Sequence, residues 1–227
     1  RLSGWNYHAS TNPYSYYSKT QYYKTTGGNP DCQSLPFYDA FVALQASVGQ
    51  ANPTTYLKTN YWDAVTDNWS RAASMTIQMM MTAEHQGALA DGWHLLARLH
   101  ILEREFNRAR SDATTWDAKK TSLGFSSYSK AEADAINNND WMVIAVSKVT
   151  GMDYRSYFSM WGQAYSTKAN DQVVAFNHAA AERRFFITSP NGYCKGVGFD
   201  GNYLPVDGNQ TWPLSTAQPR LMGDSFR

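Results

Sequence analysis

Five histidines, two cysteines and a few paired carboxylates are the side chains of this sequence whose types and spacing can do chemistry. The histidines are His8, His85, His94, His100 and His178. A hydrolytic zinc helix needs two imidazoles one turn apart with a glutamate between them, so that both rings face one metal and the carboxylate activates water. No HExxH run exists here, and Glu84-His85 lacks the second histidine. His94 and His100 stand six apart; at about 100° per residue they lie about 240° apart around a helix axis and cannot share a metal on a straight helix. His100 and Glu103 form an i,i+3 pair, whose simplest reading is a contact on a helix surface. Glu84, His85 and His94, joined across a loop, are the remaining histidine-based metal option. Glu103 and Glu105 are two apart and face different sides of a helix, a poor pair for glycoside hydrolysis. GxSxG and Walker motifs are absent. No motif assigns a catalytic residue or a metal ligand to this chain, and none is expected in it.

The best local candidate is Asp91-Gly92-Trp93-His94, a turn leading into a helix. A helix N-terminus offers unpaired N–H groups and a partial positive charge, and a tryptophan and a histidine placed there can meet a substrate. Asp91, Trp93 and His94 are the substrate-binding candidates. The plainer reading is that Asp91 caps, Gly92 turns and Trp93 packs. Cys32 and Cys194 lie in turn-like surroundings, after Asn29-Pro30-Asp31 and Asn191-Gly192-Tyr193. No CxxC spacing is present, which removes redox-motif and zinc-ribbon readings. Either the two pair, tying the N-terminal part to the C-terminal part, or both are free thiols; secretion favours pairing, and the distance that decides it is not in the sequence.

These residues need a scaffold, and 227 residues suffice to bury a core without metal or disulfide staples. Hydrophobic residues at 43% against 17% charged place the chain among folded domains. A net charge of +1 gives no field that would gather nucleic acid or an anionic membrane, and no apolar run of about 18 residues suggests a span. Tyr, Phe and Trp make up 15% of the chain. They build an aromatic core or, alternatively, a surface that stacks on sugar rings or extended peptide. The wealth of Tyr, Asn, Ser and Thr is of the kind found in secreted bacterial proteins. The chain opens at Arg1 without a signal peptide, so a piece of a longer precursor is expected.

The apolar period predicts a mainly α fold, with a multi-helix domain at 37–181 between an extended, Tyr/Gly-rich lead-in at 1–36 and an extended or β tail at 182–227. Pro36 opens a first helix with Phe37, Phe41, Leu44 and Val48 on one face, and Asn52-Pro53 opens a second that leads to Trp62. Asp67 or Asn68 is placed to cap a third, with Met75 and Met79 as core filling. Leu96, Leu99, Leu102 and Phe106 mark the clearest helix. Trp116 to Tyr128 reads as a helix end and connection, and Ser129 with Glu132 reads as a capping box. Asn139-Asp140 is expected to cap a helix from Trp141 stopped by Gly151, and Asp153 one from Tyr154 stopped by Gly162. A further helix is expected from Lys168 to Phe176, then a strand over Arg183–Ile187.

Residues about 69–110 and 137–176 resemble the helical region of enhancin-like zinc metallopeptidases, a group that includes bacterial mucinases and immunomodulating O-glycoprotein peptidases. The residues that carry the resemblance are Trp69 to Met81, Asp91-Gly92-Trp93, Leu99 to Phe106 and, above all, Asn139-Asp140-Trp141, Thr150-Gly151-Met152-Asp153 and Phe158 through Trp161-Gly162. The pattern "helix, T-G-x-D, helix, F-x-x-W-G" has the physical content of two capped helices packed as an αα-hairpin. The group's HExxH and its distal Glu ligand are missing here. The resemblance thus implies the C-terminal part of a secreted zinc endopeptidase that acts on glycoproteins, with zinc ligands and general base in preceding sequence. The chain would pack on that upstream catalytic region and line the substrate cleft, and in the intact enzyme zinc-bound water would attack a peptide carbonyl. Two other readings compete with it. One is a non-catalytic helical module that binds glycan or a partner protein. The other is a free-standing enzyme built on Glu84, His85 and His94.

Overall fold

The structure, a computed structural model, describes residues 37–64, 69–187 and 202–213, with short helical pieces at 13–14, 17–18, 22 and 25–26. The described residues form a mainly α fold, as the periodicity predicts. In order they give α1 (Phe37–Ser47), α2 (Pro53–Leu57) continuing into a π-helical turn (Lys58–Trp62), α3 (Trp69–His85), α4 (His94–Ala109), α5 (Ala113–Leu123) and α6 (Lys130–Asp134). Then follow α7 (Asn138–Thr150), β1 (Met152–Asp153), α8 (Arg155–Met160), α9 (Thr167–Val174), β2 (Ala179–Ala180), β3 (Arg184–Ile187) and β4 (Asn202–Pro205). β1 pairs parallel with β2, and β3 pairs antiparallel with β4, Phe185 opposite Leu204. The chain divides into two compact units: one holds residues 83–159 and 163–182, the other the described residues up to 82, 160–162 and those from 183 onward.

In the first unit α4 buries Leu95, Leu96, Leu99, Leu102, Phe106 and Ala109, the stripe its leucine spacing predicts. Phe106 meets Trp116 edge-on at 5.3 Å and Phe125 at 4.7 Å, and Phe125 meets Tyr128 at 5.9 Å. The buried Trp116 indole donates to the Tyr128 carbonyl at 2.8 Å, which satisfies the one polar atom the ring brings inside. Trp116 does not sit in a connection: Ala113–Leu123 is a full helix, begun by Asp112 accepting from the Thr115 amide and ended by Gly124 at φ +92°. Only Trp116 and Leu123 of that helix are buried, too sparse a stripe to show as a period. The Ser129–Glu132 capping box forms as expected. The cap of α7 is Asn137, not Asn139-Asp140; its side chain accepts from the Asp140 amide. That leaves the buried Asp140 carboxylate to accept the Ser166 amide at 2.7 Å and the Ser166 hydroxyl at 2.6 Å at the start of α9. Gly151 ends α7 at φ +71°.

In the second unit Phe37 and Phe41 each meet Phe185 at 5.7 Å, and Trp161 meets it at 6.0 Å. Met75, Met79, Met80 and Met81 of α3 are buried; Met75 and Met79 fill the core as their spacing suggests. Asn52 caps α2 as expected. The segment after 182 is extended where described, and glutamines hold it. Gln45 donates to the Pro205 carbonyl at 2.7 Å and accepts from the Gly208 amide at 2.8 Å. Gln78 does the same for the carbonyl and amide of Phe186, at 2.9 and 2.8 Å. A primary amide carries the same donor and acceptor as a peptide group, so each helix offers the tail an imitation strand edge. Of the lead-in, residues 13–14, 17–18, 22 and 25–26 are described and are helical, with Tyr14, Tyr17 and Tyr22 exposed. Cys32, Cys194 and the Asp67/Asn68 cap lie outside the described residues.

Candidate functional site

The Asp91–His94 turn belongs to the first unit and is built from both sides. Glu84 stands in the last turn of α3. The chain then reverses through Gly87, which adopts φ +73°, and is pinned where the Leu89 amide donates to the Ala83 carbonyl at 3.1 Å with the Leu89 side chain buried. It reaches the turn with Gly92 buried, Asp91 and Trp93 half-buried and His94 exposed. The Gly92 amide donates to Glu84 Oε2 at 2.7 Å, and the Trp93 amide to Asp91 Oδ1 at 2.8 Å. The amides of His94, Leu95 and Leu96 donate to the carbonyls of Asp91, Gly92 and Trp93.

Every amide from Gly92 to Leu96 is thus committed within the chain. A helix entry predicts unpaired N–H groups here; the structure fills them with two carboxylates and three carbonyls. Asp91 acts on Trp93 inside the turn, and the N-cap position of α4 falls on Trp93, which makes no side-chain cap bond. Burial pushes the Glu84 carboxyl above its ordinary value; the Gly92 hydrogen bond opposes that, and the Asp91 charge adds to it. The result is an acceptor-rich turn beside a half-buried indole and an exposed imidazole. Such a surface suits a ligand that donates hydrogen bonds and presents a flat C–H face, not an anion.

Glu84 was not legible as part of this site, because nothing in the sequence ties it to a glycine eight positions on. The other histidines do not converge on it. Among the described residues no group of three His, Cys, Asp or Glu side chains is placed to hold a metal ion, so Glu84, His85 and His94 do not form the metal site the third reading needs, and the donor set does not fit zinc. His100 Nδ1 lies 3.7 Å from Glu103 Oε2 on α4, both side chains half-buried, the i,i+3 pair its spacing suggests. His178 packs its ring against Phe176 at 5.4 Å. His8 lies outside the described residues.

No known family profile matches the chain. Over an alignment that covers 83% of its length, it is 25% identical to the immunomodulating metalloprotease of Pseudomonas aeruginosa. The chain is similar to one part of an immunomodulating metalloprotease. It spans only 20% of that relative's length. The solved IMPa metallopeptidase from the same organism shares the fold, with a TM-score of 0.72 at 22% identity over 88% of this chain and 22% of that one. IMPa structures in complex with T-antigen and with an O-glycopeptide superpose with TM-scores of 0.72 and 0.70, at 22% and 21% identity, each over 88% of this chain and 23% of theirs. The enhancin-like resemblance read from the two capped helices therefore holds, and it holds to part of a longer metallopeptidase. No helix among the described residues is long and apolar enough to cross a membrane.

Proposed function

We propose that this chain is the C-terminal helical portion of a secreted zinc metalloendopeptidase that acts on glycoproteins. Its zinc ligands and general base stand in sequence outside this chain, and its helices support that catalytic region and line the substrate cleft. The observation that carries the reading is the likeness of most of this chain to one fifth of an immunomodulating metalloprotease. Asp91, Trp93 and His94 are the residues assigned to substrate. Asp91 accepts hydroxyl or amide donors, the Trp93 ring stacks against an apolar sugar or peptide face, and His94 adds an exposed polar edge. The O-glycopeptide bound by the solved IMPa is a ligand of that chemistry.

The test is hydrolysis of an O-glycosylated peptide by the longer polypeptide, with and without this portion. The reading requires cleavage by the whole, loss of cleavage without this portion, and an HExxH motif in the preceding frame. Undiminished cleavage without it sinks the reading. Glycopeptide binding by this chain alone, with no preceding HExxH, replaces it with the binding-module reading.

A further inference from the structure

The turn before Trp93 is fixed by a residue that does not belong to it. Between α3 and α4 the loop has two anchors. One is made by the main chain and an apolar side chain, at Leu89. The other is the 2.7 Å bond from the Gly92 amide to Glu84 Oε2, and the main chain supplies no substitute for it: among the described residues the Gly92 amide has no other acceptor. Gly92 is buried, so losing the carboxylate leaves its amide without a protein acceptor. The bond is charge-assisted and correspondingly directional. It is also kept under opposition. Glu84 is half-buried, and the Asp91 charge stands against it. A carboxylate held in place against burial and a like charge contributes little as a general stabiliser, and what it fixes is the direction in which the chain enters Trp93 and His94.

We propose that Glu84 is a positioning residue, which sets the placement of the Trp93 and His94 side chains through the Gly92 amide. The assignment rests on the reading that Asp91, Trp93 and His94 meet the substrate.

The experiment compares Glu84→Ala and Glu84→Gln in the full chain by two readouts: hydrogen exchange at the Gly92 and Trp93 amides, and binding of an O-glycopeptide that carries T-antigen. Glu84→Ala speeds Gly92 exchange and weakens glycopeptide binding by about tenfold, the effect of losing one hydrogen bond. Glu84→Gln keeps a side-chain oxygen for the Gly92 amide and restores both to within about threefold of the parent. If Glu84→Ala does not fold, Glu84→Asp, one methylene too short to reach, takes its place. Unchanged Gly92 exchange in the alanine variant overturns the proposal. So does faster exchange with unchanged binding, provided Trp93→Ala weakens binding. If Trp93→Ala and His94→Ala both leave binding untouched, the substrate reading itself has failed, and the assignment falls with it; the exchange data still show whether Glu84 holds the turn, so the two failures are told apart.

Discussion

Gln78 treats Phe186 as a neighbouring strand would: its Nε2 donates to the Phe186 carbonyl at 2.9 Å, and its Oε1 accepts the Phe186 amide at 2.8 Å. Both partners are buried, so neither backbone group has water to fall back on. Gln78→Leu removes donor and acceptor together and strands two peptide groups, at about 1–3 kcal/mol for each group left unsatisfied. Gln78→Glu keeps the acceptor, loses the donor and brings a charge inside. Urea unfolding is expected to show a marked loss for both, while Gln50→Leu, at an exposed glutamine just after α1, moves the midpoint little.

Asp140 and Ser166 form a second such joint, inside the first unit. The Asp140 carboxylate takes both the amide and the hydroxyl of Ser166, while the Ser166 hydroxyl also accepts from the Ala169 amide as the cap of α9. Removing a cap costs about 0.5–2 kcal/mol, and Asp140→Ala adds the loss of a charge-assisted acceptor. Single and double alanine variants are expected to be non-additive, with a coupling of about 0.5–3 kcal/mol. Additive losses in thermal unfolding would show that the two side chains act separately.

How much of this was legible follows from where the information sits. Elements whose evidence is local were readable. Leu96, Leu99, Leu102 and Phe106 repeat at the helical period, Gly151 marks an αL stop, and Ser129-x-x-Glu132 spells its own capping box. The helix around Trp116 was not, because it buries too few side chains to print a period. The α7 cap was misplaced by two residues because Asn137, Asn138, Asn139 and Asp140 are all competent caps, and only the tertiary demand of Ser166 decides which one is free. The same holds for the site. The sequence points to Asp91-Gly92-Trp93-His94 as a helix entry, but it cannot say that Glu84 and Asp91 already occupy the turn's amides. Pairings such as Gln78 with Phe186 leave no trace in spacing at all.

Acid should act on the α6–α9 contact through Glu132. Its carboxylate receives Lys168 Nζ at 2.5 Å and the Ser129 amide at 2.8 Å. The Lys168 hydrogen bond first, then those from Ser129, hold its pKa down at about 2, against an ordinary 4.5. A folded-state pKa below the unfolded one means that the contribution is present above the unfolded value and is lost as pH falls through the folded value. The stability gap between the parent chain and Glu132→Gln is therefore expected to be constant above about pH 5.5 and to close between about pH 4.5 and pH 2. The pair is exposed to solvent, so added salt should shrink the gap. A gap that persists at pH 2 would mean that Glu132 acts through packing and not charge.

Metal removal separates the part from the whole. Glu84, His85 and His94 are the only described residues that spacing offered as a zinc set, and they do not come together as one. Tight binding needs three or four donors at about 2.0–2.3 Å from the metal, and bound metal would stabilise the folded chain in proportion to its affinity. The isolated chain is therefore expected to unfold at the same temperature with zinc, with EDTA and with neither, and to retain no stoichiometric zinc after dialysis. The longer polypeptide, which under the proposed reading supplies the ligands, is expected to lose peptidase activity to chelator and to regain it with zinc. A chelator-sensitive midpoint in the isolated chain would return Glu84, His85 and His94 to consideration and would count directly against reading this chain as a supporting portion.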